Sequence, residues 1–136
     1  MDKKIQLGSV FKYDFEFTQT DVENFAKASG DYNPIHLDSE YAQKTIFGRT
    51  IIHGFLSGSV FSKVFGTIFP GNGTIYLKQN MKFLKPMFTA EAYRAVFKIT
   101  EMIPEKNRAW VITEIFDSKE IITMAGEALI QHDDIR

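Results

Sequence analysis

Apolar and polar residues alternate without a break in residues 11–17, FKYDFEF. This period of two is typical of a β-strand that buries one face. Four later segments of about ten residues each are rich in β-branched and aromatic side chains, and short turn-forming sequences separate them. They are residues 74–84, 90–102, 108–116 and 121–131. Long strands with short connections predict an antiparallel sheet.

Helical patterns lie between the first strand and the second. The capping-box pattern of residues 20–23, TDVE, opens one helix and Gly30 ends it. Pro34 suits the first position of a second helix, which Asn33 caps and which runs to about Thr45. We therefore expect two helices, joined by a bend, ahead of the main sheet.

A third predicted helix, from His53 to about Phe69, is apolar around most of its circumference. Lys63 is its one charged residue. A helix that is apolar on nearly every side is a buried helix, and the turn-forming residues 70–73, PGNG, end it. A sheet curled around one buried helix accounts for this order of elements, whereas helices alternating with parallel strands do not. The sequence thus predicts an α+β fold.

Length and composition restrict the class of protein. The chain has 136 residues, the usual size of one domain, and it contains no internal repeat or linker-like stretch, so we expect a single domain over residues 1–136. Hydrophobic residues make up 44% and charged residues 24%, which excludes a disordered chain. The net charge of −1 removes the electrostatic basis for nucleic-acid binding.

The absence of cysteine from the sequence excludes disulfides, thiolate metal sites and a cysteine nucleophile. It is compatible with a reducing cytosol, and the first residues lack the apolar core of a signal peptide. No apolar run approaches the roughly 20 residues of a membrane helix. We therefore expect a cytoplasmic protein that binds neither a membrane nor nucleic acid.

Candidate acid–base residues lie in residues 29–36, SGDYNPIH. Asp31 falls in the break between the first two helices, and His36 in the first turn of the second. Because the chain bends at Asn33, the two side chains can converge, and a carboxylate beside an imidazole is a general acid–base pair. The alternative is a helix junction in which Asp31 and Asn33 only cap backbone N–H groups.

A second motif, residues 48–54, GRTIIHG, directly precedes the buried helix. Gly54 lies at the N-terminus of that helix, where unpaired N–H groups and the helix dipole can receive negative charge. Because it has no side chain, it lets a ligand approach the backbone closely, although a tight entry turn explains the glycine equally well. A histidine such as His53 is more often structural than catalytic.

Other kinds of site have weaker support in the sequence. The chain has three histidines, no cysteine and no ligand pair at a typical metal spacing, so we expect no metal. It has no glycine-rich phosphate loop, and Ser57-Gly58-Ser59 lacks the second glycine of a nucleophile elbow.

The two motifs, in this order, resemble the MaoC-like, or hydratase 2, family of (R)-specific enoyl-CoA hydratases, which have the hot-dog fold. The resemblance continues through residues 70–77, PGNGTIYL, and 81–86, MKFLKP, and so covers nearly the whole chain. It implies an antiparallel sheet wrapped around a buried central helix. One departure is Thr89-Ala90, which stands where many relatives have Gly-Asp at the entrance to the next strand.

The resemblance also assigns roles to individual residues. It implies that Asp31 and His36 are the catalytic pair and that the Gly54 N–H contributes to an oxyanion hole. Ser62 matches a serine that lines the substrate pocket in similar hydratases. Asn33, within the first motif, is a further candidate for substrate binding.

The reaction that the resemblance implies is the reversible hydration of a trans-2-enoyl thioester of CoA, or of acyl-carrier protein, to the (R)-3-hydroxyacyl thioester. This reaction needs a base for the attacking water, an acid for the α-carbon and donors for the enolate oxygen, and it requires no metal or redox cofactor. Two alternatives remain open: a hot-dog acyl thioesterase, and a non-catalytic hot-dog partner that binds acyl thioesters.

The 13 phenylalanines bear on the size of the acyl pocket. Phe65, three residues after Ser62, is our favoured gate of a short pocket for chains of about four to six carbons, although core packing explains such rings as well. The resembled fold also bears on assembly. A hot-dog sheet around one helix exposes a long strand edge, so we expect a homodimer or a higher homo-oligomer.

Overall fold

The structure, a computed structural model, describes residues 5–136. Within these residues the strands are β1 (Val10–Phe15), β2 (Ile75–Phe83), β3 (Tyr93–Ile103), β4 (Arg108–Asp117) and β5 (Ile122–Gln131). They form one antiparallel sheet in the order β1-β3-β4-β5-β2. Strands β3, β4 and β5 are a meander, and β1 and β2 are the two edges. The predicted antiparallel sheet is confirmed.

The α-helices of the described residues all lie between β1 and β2. They are α1 (Gln19–Ser29), α2 (Pro34–Leu37), α3 (Ser39–Gln43) and α4 (Gly54–Thr67). A short 3₁₀ helix, Pro104–Lys106, joins β3 to β4. Among residues 5–136, none of the helices combines the length and the hydropathy that a membrane crossing needs.

The hydrophobic core lies between α4 and the sheet. Phe61 and Phe65 of α4 both meet the ring of Phe97 on β3 edge to face, and all three side chains are buried. Along β4 every second residue is buried, as expected for a strand with one face on the core. The sheet therefore packs around α4, as the sequence predicts.

Two helix boundaries differ from the prediction. The capping box lies two residues earlier than residues 20–23, because Thr18 Oγ1 accepts the Asp21 N–H at 3.1 Å and the Asp21 carboxylate accepts the Thr18 N–H at 2.9 Å. The predicted second helix is divided at Asp38. Its Oδ1 accepts two N–H groups of the following turn, which starts α3 as a separate helix.

The burial of α4 is also less complete than predicted. Seven of its 14 residues are buried, but Phe55 is 68% exposed, and Ser59 and Ser62 are exposed. These three positions recur every three or four residues, so they lie on one helix face. None of residues 5–136 covers that face of α4.

Candidate active site

The bend between α1 and α2 places Asp31 beside His36. Gly30 ends α1 in a left-handed conformation with φ of 80°, and Asn33 begins α2 by accepting the Ile35 N–H at 3.2 Å. As a result, Asp31 Oδ2 lies 4.0 Å from His36 Nε2. The structure thus brings together the two residues that the first motif singles out.

The surroundings of His36 suit its Nε2 atom to act as a base. Its ring is buried, and Nδ1 lies 2.9 Å from the carbonyl oxygen of Ile51. A carbonyl only accepts, so Nδ1 carries the hydrogen and Nε2, on the side of Asp31, presents a lone pair. Burial is the largest effect and lowers the pKa of His36 below its ordinary value of 6.5; the hydrogen bond to Ile51 and the nearby Asp31 oppose this shift, and His53 adds to it. The ring is therefore neutral at neutral pH.

Asp31 uses its two carboxylate oxygens differently. Oδ1 accepts the Asn33 N–H at 3.2 Å and so closes a local turn, while Oδ2 faces His36. The side chain is 49% exposed, so solvent and a ligand can reach it. The capping role and the acid–base role, which are alternatives in the sequence, therefore do not exclude each other.

The second motif supplies a ring that packs against the first. His53 is buried and stacks on His36, with ring centroids 3.8 Å apart and planes 28° from parallel. Its Nε2 lies 3.0 Å from the carbonyl oxygen of Asp31. Neither motif signals this contact in the sequence, because it depends on how the two segments fold onto each other.

A cavity of about 370 Å³ begins at His36 and the first turn of α4. Gly54 and Ser57 of α4 line it, and most of its remaining wall is apolar: Phe47, Phe55, Phe83, Met87 and Met124. Ser57 is buried, and its hydroxyl has no hydrogen-bond partner among the described residues. No pattern in the sequence indicates this unpartnered hydroxyl in the cavity wall.

Gly54 places the N-terminus of α4 at this cavity. The N–H groups of a first helical turn have no acceptor within the helix, and His53, at the N-cap, makes no side-chain capping bond. A Cβ atom on Gly54 would lie 2.5 Å from the ring of Phe83. Glycine therefore lets this ring pack against the helix end, and Gly54 itself lines the cavity.

Comparisons with known proteins identify the family. Residues 3–119 match the family model described as a MaoC like domain. The chain belongs to this family. It is 34% identical to an (R)-specific enoyl-CoA hydratase of Aeromonas caviae over 129 residues, 95% of this chain and 96% of that protein. It is also 34% identical to a 3-hydroxybutyryl-CoA dehydratase of Methylorubrum extorquens over 130 residues, 96% of this chain and 81% of that protein.

A solved structure supports the same assignment. The (R)-hydratase from A. caviae involved in PHA biosynthesis matches this MaoC-like chain with a TM-score of 0.91 and 34% identity. The match covers 96% of this chain and 99% of that one. The five-stranded sheet around α4 is therefore the hot-dog fold that the two motifs imply.

Three predicted site residues of this MaoC-like chain lie elsewhere. The side-chain oxygen of Asn33 is bonded to the Ile35 N–H and caps α2. Ser62 lies on the exposed face of α4. Phe65 is buried in the core, edge to face with Phe97 and Tyr76, because the helix turns this position toward the sheet. None of the three lines the cavity at His36.

The site also has to be considered as a metal centre. Asp31, His36 and His53 each offer one ligand atom, and these atoms lie within 4.8 Å of one another. However, each histidine ring has one nitrogen bonded to a carbonyl oxygen, which leaves one nitrogen per ring as a possible ligand. Because the two rings are stacked, the lone pairs of these two nitrogens lie in nearly parallel planes. A tetrahedral ion needs ligand atoms that converge at about 2.0–2.2 Å. The arrangement fits proton transfer better than metal binding.

Proposed function

We propose that this protein catalyses the reversible hydration of trans-2-enoyl-CoA to (R)-3-hydroxyacyl-CoA. The observation that carries the proposal is the Asp31–His36 pair, 4.0 Å apart, beside a largely apolar cavity that the N-terminus of α4 also faces. Such a site offers proton transfer, an apolar acyl pocket and donors for a developing negative charge. The (R)-specific enoyl-CoA hydratase and the 3-hydroxybutyryl-CoA dehydratase among the relatives support the same substrate class.

The pair is spaced to hold the attacking water. A water that donates its two hydrogens to two acceptors through bonds of about 2.8 Å keeps those acceptors roughly 4.0–4.5 Å apart, and His36 Nε2 and Asp31 Oδ2 are 4.0 Å apart. The water oxygen bonds to the β-carbon and one proton passes to the pair. The pair then gives a proton to the α-carbon, so the enzyme regains its starting protonation state.

The N-terminus of α4 stabilises the other end of the reacting system. As water attacks the β-carbon, negative charge moves onto the thioester oxygen. Gly54, at the positive end of the helix dipole, lines the cavity, and we assign its N–H to receive this charge. One such donor typically contributes about 3 kcal/mol, or about 10²-fold in rate.

An assay with crotonyl-CoA tests the proposal. Hydration removes the enoyl-thioester absorbance without releasing a thiol, and this is the result we expect. Release of free thiol would indicate the hot-dog thioesterase instead, and no reaction at any enoyl chain length would indicate a non-catalytic acyl-binding partner. The same assay with enoyl-acyl-carrier protein determines which carrier is preferred.

The pH dependence of the reaction follows from the state of His36. The lone pair on Nε2 accepts a proton only while the ring is neutral, and burial lowers the pKa of His36 below 6.5. We therefore expect kcat/KM to be constant near neutral pH and to fall as the pH drops through a value below 6.5. A pH–rate profile from pH 4.5 to 8.5 checks this. If kcat/KM already falls at pH values above 7 as the pH is lowered, the assignment of His36 as a base is contradicted.

We also propose that the active unit is a homodimer joined at β2. This strand is one edge of the sheet, and four of its apolar side chains are exposed: Ile75, Tyr76, Leu77 and Phe83. The exposed ring of Phe55, on the uncovered face of α4, meets Phe83 and extends this apolar surface. An apolar unpaired edge favours pairing with another chain, and a second copy supplies a self-complementary partner.

Light scattering tests the dimer. We expect the wild-type protein to have twice the mass of one chain, and Leu77→Glu to shift it toward the mass of one chain, because a carboxylate is then placed in the apolar contact. Leu7→Glu is the matched control, since Leu7 is also exposed but precedes β1 at the opposite edge. A fully active protein with the mass of one chain would refute the proposal.

A cytoplasmic location is proposed as well. Its support is the sequence, which contains no cysteine and therefore suits a reducing compartment. Cell fractionation tests it, and recovery of the protein with the membrane fraction would contradict it.

A further inference from the structure

His53 has no place in the proposed acid–base chemistry, yet it contacts both residues of the pair. Its Nε2 lies 3.0 Å from the backbone carbonyl oxygen of Asp31, and its ring lies on the ring of His36. We propose that His53 is a positioning residue that holds Asp31 and His36 in their reactive arrangement. This inference rests on the proposed hydratase function.

The hydrogen bond to Asp31 fixes the state of the His53 ring. Because the carbonyl oxygen only accepts, Nε2 carries the hydrogen and Nδ1 carries the lone pair. Nδ1 is buried and has no hydrogen-bond partner among residues 5–136. A buried polar atom without a partner is costly, so its presence indicates that the ring is kept for what Nε2 and the ring faces do.

Asp31 needs such a contact because its other hydrogen bonds, to Ser29 and Asn33, lie within its own bend. Its side chain is 49% exposed, and its segment is an irregular bend between two helices. The backbone N–H of Asp31 is bonded to the Ser29 hydroxyl at 3.1 Å, a contact within the same bend. The bond from His53 is different, because it ties the bend to the N-terminus of α4, which is anchored in the core.

The ring of His53 acts on the second residue of the pair. It is packed between His36, at 3.8 Å, and Phe25 of α1, at 4.8 Å between ring centroids. His36 is fixed in its own plane by the bond from Nδ1 to Ile51. The stack fixes the remaining freedom, which is rotation out of that plane. One residue therefore sets the position of both Asp31 and His36.

Two kinds of variant separate the hydrogen bond from the ring. His53→Phe keeps a flat ring of similar size but loses the donor. His53→Gln places an amide N–H near the position of Nε2 but loses the ring. His132→Gln is the matched control, because His132 also donates through Nε2 to a backbone carbonyl, that of Asn72 at 2.8 Å, away from the site. His53→Asn, which is too short to reach Asp31, replaces His53→Phe if that variant does not fold.

We expect His53→Phe to lower kcat by about 10²-fold, the usual effect of a displacement of about 1 Å in a reactive group. KM and the melting temperature should change little, and His132→Gln should behave as wild type. His53→Gln should keep more activity than His53→Phe.

A double variant tests whether His53 acts through the pair. If it does, adding His53→Phe to Asp31→Asn should lower kcat by less than His53→Phe lowers it in the wild-type protein, since one of the two groups that His53 positions is already lost. Wild-type kcat in both His53→Phe and His53→Asn would overturn the inference, as would a full additional loss in the double variant. An inactive wild-type protein would instead contradict the proposed function.

Discussion

Asp31→Asn is expected to lower kcat by about 10²–10⁴-fold, the usual contribution of a general acid–base group. The amide is not a base, and when its oxygen takes the place of Oδ1 its NH2 group, a donor, replaces Oδ2 as the neighbour of the attacking water. The fold should not change, because the side-chain oxygen of asparagine can still accept the Asn33 N–H that Asp31 Oδ1 accepts. Steady-state kinetics with crotonyl-CoA and a thermal unfolding curve measure the two effects.

Asp38→Asn is the matched control for this change. Asp38 lies in the same helical region and accepts two backbone N–H groups at the start of α3, a role that asparagine fills equally well. It should therefore keep wild-type activity and stability. If Asp31→Asn also keeps wild-type activity, Asp31 only closes a turn, and its catalytic assignment fails.

His36→Asn should have a comparably large effect, a fall in kcat of about 10²–10⁴-fold. The asparagine amide can occupy the place of Nδ1 and donate to the Ile51 carbonyl, as His36 does at 2.9 Å. What is lost is Nε2, the atom that faces Asp31. The variant thus removes the base while it keeps the bond that anchors this position.

The pH profile distinguishes a catalytic loss from a structural one in His36→Asn. In the wild-type protein we expect kcat/KM to fall on the acidic side of the pH profile as His36 is protonated. The activity that remains in His36→Asn should no longer show this acidic limb, because the group that titrates there is absent. A variant that loses activity but keeps the same limb would show that another group titrates. A variant with wild-type kcat would remove His36 from the mechanism.

The sequence predicts the sheet and the long helix well because their signals are local. Alternation in residues 11–17 and the ten-residue β-rich segments correspond to β1 to β5, with ends that differ by up to three residues. The apolar helix from His53 corresponds to α4. Asp38 is the exception: the pattern favours one helix up to Thr45, but a carboxylate that accepts two N–H groups starts a new helix instead.

The candidate site is only partly predictable from the sequence. The bend at Asn33 indicates that Asp31 and His36 converge, and they do lie 4.0 Å apart. The stack of His53 on His36 depends on the packing of two separate segments, which no local pattern contains. For Phe65, helical spacing places it near Ser62 but cannot say which face of α4 meets the sheet, and the structure shows that Phe65 is in the core.

The stereochemistry of the product tests the central claim most directly. Crotonyl-CoA is incubated with the wild-type enzyme and with Asp31→Asn at equal concentration, and the 3-hydroxybutyryl product is analysed by chiral chromatography. We expect the (R) enantiomer alone from the wild-type enzyme, and at early times the variant should form at least about 10²-fold less of it. An (S) or racemic product, or equal product from both proteins, would contradict it.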